Sequence, residues 1–403
     1  MKTFKKISAT TLVLCLILAL TACGTPVATT AGTTAGTTAG TTAPTTTGNA
    51  QDVQTVVAQV AATAKWDQMA IDSKITDTIT GILNVEKDYT IRIGTPTGGK
   101  NEQNYVMALF EAYIEASTAG KVKVELYPSS QLGTWSQMIQ GVLDSSITGV
   151  AIPLDYFYTY APAAGVASIP FMFSKGSAQA ARIFSKDSTM DDYLKTKGFW
   201  PVAWLYEHSY TIIGDRAITK LSDFKGMKIW TLPSTLGQKE IEAYGATPTL
   251  MDPADVALSL QNGTIDAGFS GVTFFGNMGL QDSSTHLNRL PMKSLPCVMM
   301  FGAEFMQSLP DDLRNLIDDA GAYIVDNYEK DYITASIDRN VAAILEKCEL
   351  VDPSDALLAE MKQATAGIHD FYKSVDPDCA AMYQKMSELI AADEAAGGTS
   401  LPY

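Results

Sequence analysis

The 403 residues exceed what one hydrophobic core supports, since single cores stop growing near ~250–300 residues, so the chain divides into about two domains. With 46% hydrophobic and 18% charged residues it can bury a sizeable core, which excludes wholesale disorder. The 29 basic and 44 acidic residues leave a net charge of −15, which repels phosphate backbones and anionic headgroups and argues against nucleic acid as a partner.

Residues 1–22 read as a signal peptide: Lys2, Lys5 and Lys6 form a positive start, and the apolar run Leu12 to Leu20 is too short to span a bilayer at ~1.5 Å per residue. Leu20-Thr21-Ala22-Cys23 follows and resembles the lipobox of bacterial lipoproteins, in which the chain is cut before the cysteine and the thiol is acylated. Cys23 is therefore the expected lipidation site, and loss of the three lysines takes the mature charge from −15 to −18. Residues 23–50 continue as a Thr/Ala/Gly tract with Ala-Gly-Thr-Thr repeated at Ala31, Ala35 and Ala39. Such a tract builds no core and acts as a flexible linker with a reach of roughly 25–30 Å by the coil estimate. No later apolar run is long enough to cross a membrane, so the expected location is the extracytoplasmic face of a bacterial membrane, held by lipid. Cys297, Cys348 and Cys379 remain, without CxxC spacing, so at most one intramolecular disulfide forms and a zinc site is not indicated.

Residues 51–88 form an N-terminal helical extension, with Val53, Val56, Val57 and Val60 at helical spacing. From Tyr89 the pattern is α/β. Tyr89 to Ile93 predicts a strand, Gln103 to Ser117 a helix with Val106, Leu109, Phe110, Tyr113 and Ile114 on one face, and Val122 to Tyr127 an alternating strand. Further strands are predicted at Gly149 to Ile152, Pro201 to Tyr206, Tyr210 to Ile213, Met227 to Trp230, Ile265 to Phe269 and Cys297 to Phe301. Helical stretches between them predict mostly parallel sheets. From Pro310 to about Ala392 the pattern is nearly all helical and reads as a clamp on both domains.

Catalytic chemistry finds little to be built from. Gly94-Thr95-Pro96-Thr97-Gly98-Gly99-Lys100 has the spacing of a phosphate-cradling loop, but Asn101 stands where the motif needs a hydroxyl on Mg²⁺. The remaining reading is a strand-to-helix loop that lets something small approach closely, with a helix N-terminus suited to an anionic group. His208, His286 and His369 are the only histidines, and neither a G-x-S-x-G elbow nor HExxH is present. Asp311, Asp312, Asp318 and Asp319 fall in a helical surface pattern and read as a solvated face. No cofactor is implied.

Four segments, in order, resemble the extracytoplasmic solute-binding proteins of TRAP transporters, the tripartite ATP-independent periplasmic systems. They are Gly120-Lys121-Val122-Lys123-Val124-Glu125-Leu126-Tyr127-Pro128-Ser129-Ser130-Gln131-Leu132-Gly133, Ile169-Pro170-Phe171-Met172-Phe173, Leu221-Ser222-Asp223-Phe224-Lys225-Gly226-Met227-Lys228-Ile229 and Ala257-Leu258-Ser259-Leu260-Gln261-Asn262-Gly263-Thr264-Ile265-Asp266-Ala267. The resemblance covers about Tyr89 to Tyr328. It implies a two-lobed, periplasmic-binding-protein-like α/β fold with a helical C-terminal clamp. Lobe I would be residues 89–209, completed by about 297–335, and lobe II residues 210–296, completed by helices of about 336–392. It implies capture of a small organic solute between the lobes, delivery to TRAP permease subunits, and no enzymatic step.

The resemblance also marks departures. The residue after Lys-Ile is typically an arginine in the family, whose planar fork holds a carboxylate, and here it is Trp230. A second arginine would fall in Glu207-His208-Ser209-Tyr210, which has none, and a polar pair after Asp266-Ala267 is replaced by Phe269-Ser270, with Phe274 and Phe275 behind. The expected ligand contacts are Trp230, Ser234, Phe269, Ser270, Asp155, Tyr156, Glu207, Ser209 and Tyr210, which together suit a neutral or cationic solute. Two alternatives are a ligand-binding module that feeds a sensor, and an enzyme using the same cleft with Glu207 and His208 as acid and base.

Overall fold

The computed structural model describes residues 50–206 and 211–398. Cys23, the signal and the linker lie outside the described residues, as do Glu207, His208, Ser209 and Tyr210.

The extension forms α1 (Ala50–Thr63), which buries Val53, Val57 and Val60 on one face, and the short α2 (Gln68–Asp72), capped by Asp67 accepting from the Met69 N–H at 2.8 Å. Then come β1 (Tyr89–Gly94), α3 (Glu102–Ser117) and β2 (Val122–Tyr127), a right-sized βαβ unit whose strands run parallel with Tyr89 opposite Val122. α1 and α2 pack on α3, which is buried along most of its length, and the Trp66 indole donates to the Glu115 carboxylate at 2.9 Å. The extension is thus part of the first lobe's core.

α4 (Trp135–Leu143) starts at a Thr134–Gln137 capping box, which satisfies two of the helix's orphan N–H donors, and leads into β3 (Gly149–Pro153). α5 (Gly176–Lys186), α6 (Thr189–Thr196) and β4 (Phe199–Tyr206) follow. The second lobe comprises β5 (Thr211–Gly214), β6 (Lys228–Trp230), α7 (Thr235–Ala243), β7 (Thr247–Thr249), α8 (Val256–Gln261), β8 (Ala267–Ser270), α9 (Val272–Asn277) and β9 (His286–Asn288). β10 (Pro296–Gly302) then returns to the first lobe and leads to α10 (Ala303–Ser308) and α11 (Asp311–Tyr328). A π-helical turn, Glu329–Ile333, joins α11 to α12 (Thr334–Leu345), followed by β11 (Glu349–Val351), α13 (Asp355–Val375) and α14 (Pro377–Ala395).

The first sheet has the order β2-β1-β3-β10-β4 and the second β11-β9-β5-β8-β6-β7. Both are mixed, where the sequence pattern predicted mostly parallel sheets. The reason is the exchange of chain between lobes: β10, arriving from the second lobe, runs antiparallel to β3 and β4, and β5, arriving from the first, runs antiparallel to β8 and β9. β3 and β10 are buried at every residue, which is why each reads as a continuous apolar run rather than an alternation. α11 lies against β4 so closely that a Cβ at Gly321 would sit 2.0 Å from the Val202 carbonyl oxygen, so only glycine fits there.

The terminal helices serve both lobes. α12 packs on α9 of the second lobe, α13 touches α7 and the 3-10 helix Pro162–Ser168, and α14 packs on that 3-10 helix and on α5 of the first lobe. The sequence pattern reads this helical stretch as a clamp on both domains, and these contacts have that form. His369 ties α13 down, with one ring nitrogen 3.1 Å from the Pro170 carbonyl oxygen and the other 2.9 Å from the Tyr383 hydroxyl. Burial holds its pKa below the usual value. Cys297, Cys348 and Cys379 are buried, and none of the three is in a disulfide among the described residues.

Candidate functional site

In open α/β sheets the space beyond the carboxyl ends of the strands is where ligands bind, because strand-to-helix loops and helix N-termini converge there. Four strands end at one cleft. β1 delivers Pro96 and Thr97, β3 delivers Pro153 and Tyr156, β6 delivers Trp230 and Leu232, and β8 delivers Ser270 and Phe274. Gln103 from the first turn of α3, Pro253 and Leu295 complete the described wall, so both lobes contribute. These walls enclose only about 20 Å³, room for about one water.

Trp230 is fully buried at the end of β6, and its ring stacks on Phe274 with centroids 5.1 Å apart and planes 21° from parallel. Its indole N–H donates to the Met251 carbonyl oxygen at 3.2 Å, so that polar handle is occupied by the protein itself and the ring's apolar surface faces the cleft. Across the cavity Tyr156 packs against Trp135, centroids 5.1 Å apart. The polar part of the wall is neutral: the Thr97 hydroxyl donates to the Gln103 side-chain oxygen at 3.3 Å, and the Gln103 amide donates to the Cys297 sulfur at 3.3 Å. No described wall residue carries a positive charge.

The glycine-rich loop ahead of α3 forms part of this wall. Asn101, which breaks the phosphate-loop pattern, caps α3 by accepting from the Asn104 N–H at 2.9 Å, while its own amide donates to the Gly98 carbonyl oxygen at 3.2 Å. The Asn104 amide donates to the Gly99 carbonyl oxygen at 2.7 Å, and Gly99 holds a left-handed φ of +72°. The loop is folded on itself by amides, and the residue sequence reasoning read as a defect is its cap.

Behind the wall lies a buried charge network. The Lys293 ammonium and the Asp155 carboxylate meet at 2.7 Å, both side chains fully buried, and the Ser168 hydroxyl also donates to Asp155. Lys293 sits 5.4 Å from the Phe269 ring centroid, a cation over an aromatic face. A second carboxyl, Glu240 on α7, accepts from the Tyr244 hydroxyl at 3.0 Å and is pushed up to about 8 by burial, with Lys293 pulling the other way. A Cβ at Gly237 would sit 2.9 Å from the Lys293 nitrogen, so α7 presents glycine to that side chain. Asp155 belongs to the first lobe, Glu240 to the second, and Lys293 to the segment that returns from second to first. Phe171, in the Ile169–Phe173 box, donates its N–H to the Met292 carbonyl oxygen at 2.8 Å and pins that same segment.

Of the residues expected from sequence to contact a ligand, Tyr156, Trp230 and Ser270 line the cavity. Asp155 and Phe269 lie one layer behind it on Lys293, and Ser234 caps α7, accepting from the Gly237 N–H at 3.5 Å. Glu207, Ser209 and Tyr210 lie outside the described residues. Sequence reasoning missed Gln103, Thr97, Lys293 and Glu240. The one readable signal was Lys293 itself, a charge set in Leu290-Pro291-Met292-Lys293-Ser294-Leu295-Pro296, where an apolar run requires it to be paired.

Residues 95–375 match the model of the bacterial extracellular solute-binding proteins, family 7, which is more than half of the chain. The chain belongs to this family. Among curated relatives of this family-7 protein, the 2,3-diketo-L-gulonate-binding periplasmic protein of Escherichia coli K12 is 28% identical over 186 residues, covering 44% of this chain and 55% of the relative. The chain therefore spans about half the length of that relative. Among solved structures, a TRAP periplasmic solute-binding protein from Sulfitobacter with bound β-D-galacturonate superposes with a TM-score of 0.70 at 16% identity, covering 74% of this chain and 99% of that one. One from Shewanella oneidensis with bound succinate gives 0.69 at 19% identity, covering 74% and 99%. At these identities the likeness shows the fold: a two-lobed, periplasmic-binding-protein-like α/β architecture.

Proposed function

We propose that this family-7 protein is an extracytoplasmic lipoprotein, acylated at Cys23, that captures a small organic solute between its lobes and delivers it to a TRAP-type membrane permease. The observation that carries the reading is the convergence of four strand ends, two from each lobe, on one cleft floored by Trp230 and Tyr156. A cleft shared by two lobes that exchange chain segments closes around a ligand and sheds water, and binding needs no further chemistry.

The wall's character sets the solute class. The family relatives named above bind a sugar acid in one case and carry galacturonate or succinate in the others. A buried carboxylate needs a cation or several aimed donors to offset lost hydration, at several kcal/mol per ion. The described wall offers neutral donors and apolar faces, and Lys293 is committed to Asp155. The reading is a solute with an apolar, aromatic or cationic portion lying on Trp230, and weak binding of simple C4-dicarboxylates and sialic acid.

Thermal-shift screening of a metabolite library tests solute capture, because a ligand that binds only the folded state adds about 2.7 kcal/mol at a hundredfold excess over Kd. A panel in which succinate gives the largest shift and aromatic or cationic solutes give none sinks the proposed class. Mass spectrometry of detergent-extracted protein tests the anchor: the expected N-terminus is an acylated Cys23, and cleavage elsewhere without lipid contradicts it.

A further inference from the structure

A second concavity lies away from the interlobe cleft, on the outer side of the first lobe. It has a volume of about 470 Å³, within the ~300–1,000 Å³ range of small-molecule sites and far larger than the cleft cavity between the described walls. Its floor is the face of β4 that presents Trp204 and Tyr206, with α5 and α6 on one side and α11 on the other. Trp204 is nearly buried at 5% exposure, so the floor is apolar and aromatic.

The rim is acidic in a particular way. Asp191 from α6 accepts the Trp204 indole N–H at 2.8 Å, and Asp318 from α11 accepts the Trp200 indole N–H at 3.2 Å. Each bond uses one carboxylate oxygen and holds its carboxylate beside the groove. Asp326, two turns along α11 from Asp318, adds a third. The opposite wall carries two basic residues: Arg182 meets Asp393 through two N–H donors at 2.8 Å each, and the charge of Lys186 also acts on Asp393. Burial raises the pKa of Asp191 to about 6 and also raises that of Asp318, although Lys195 pulls both down and Arg314 pulls Asp318 down, so a further cation in the groove would offset the lost hydration that remains. The solvated-face reading of Asp318 does not survive: its side chain is half-buried and turned to the groove.

We infer that this groove is a second ligand site, distinct from the interlobe cleft, for a small organic ammonium ion: the cation is held by Asp191, Asp318 and Asp326, and an apolar or aromatic body rests on Trp204. Neutral molecules of the same shape lose the charge-assisted contacts, and anions are repelled. The site stands independently of what the cleft binds.

The test is a titration of the mature chain, observed through the indole N–H cross-peaks of its ¹⁵N spectrum, with benzylammonium, benzyl alcohol and benzoate as probes. The expected result is saturable movement of the Trp204 and Trp200 cross-peaks with benzylammonium, at an affinity at least about tenfold above that for benzyl alcohol, and none with benzoate. The Trp230 cross-peak should stay in place. Asp318→Asn and Asp191→Asn keep an oxygen for each indole and should weaken binding by about fivefold each; Asp326→Asn, at an exposed position that cannot disturb the fold, should weaken it by a smaller factor. Equal affinity for benzyl alcohol, movement that does not saturate, or movement confined to Trp230 overturns the inference. So does full affinity in Asp318→Asn and Asp326→Asn together.

Discussion

The interlobe cleft and the outer groove of the first lobe are both floored by tryptophan, and they handle charge in opposite ways. In the groove Trp200 and Trp204 give their indole N–H groups to Asp318 and Asp191, leaving acidic groups at the rim. Trp66, under the N-terminal extension, makes the same kind of bond to Glu115. In the cleft the Trp230 indole is satisfied by a backbone carbonyl, and among the described residues the buried charges Lys293 and Asp155 pair with each other. An aromatic floor therefore does not by itself set ligand charge. What sets it is whether the partner of the indole is a carboxylate or a peptide group.

The comparison breaks most visibly at Lys293. Removing one partner of a fully buried ion pair leaves an uncompensated charge, so Lys293→Met should cost about 3–5 kcal/mol in denaturant unfolding. Adding Asp155→Asn should recover part of that loss. If Lys293→Met unfolds at the wild-type midpoint, the pair is not the charge lock described here.

Glu240 sharpens the cleft side through pH. Its folded-state pKa of about 8 stands above the usual 4.5, so the folded protein keeps this proton while the unfolded chain releases it. Stability therefore falls as pH rises through that window and changes no further from this group above it. Glu240→Gln should remove about 1–3 kcal/mol of the fall between pH ~5 and ~8. Urea midpoints at several pH values read the difference, and parallel curves for the two proteins contradict it.

The remaining effects are smaller. Trp66→Phe leaves a buried Glu115 oxygen without its donor and should cost about 1–2 kcal/mol, showing the extension to be part of the first lobe's stability. Limited proteolysis of residues 50–88 should quicken in step. Asp191→Asn is expected to change stability least, because Asn still accepts from Trp204. The variant should lose only the decline between pH 3.8 and about 6 that the raised Asp191 pKa imposes. A large loss of stability at neutral pH would mean the Asp191 charge itself is structural.

How much of this was legible beforehand follows from residue pattern. β1, β2, β3 and β10 appear as apolar or alternating runs, so their positions are read to within a residue or two. β7, β9 and β11 have three residues each, too few for any period to register. Trp230 stood out because a family arginine was absent. Thr97 and Gln103 did not, since neutral polar residues in a loop and a first helical turn carry no pattern until the fold brings them to Tyr156 and Trp230. Asp318 was misread because helical spacing locates a face but not what covers it: α6 and β4 reach it from another part of the chain.

The central claim is that solute binds against Trp230 in the cleft and not in the outer groove. Calorimetry with the solute found by screening tests it directly, comparing wild type, Trp230→Ala and Asp191→Asn. Loss of a large ring from a desolvated contact should weaken binding by about 1–3 kcal/mol in Trp230→Ala, while Asp191→Asn leaves Kd unchanged. Unchanged affinity in Trp230→Ala, or a loss confined to Asp191→Asn, would contradict the account.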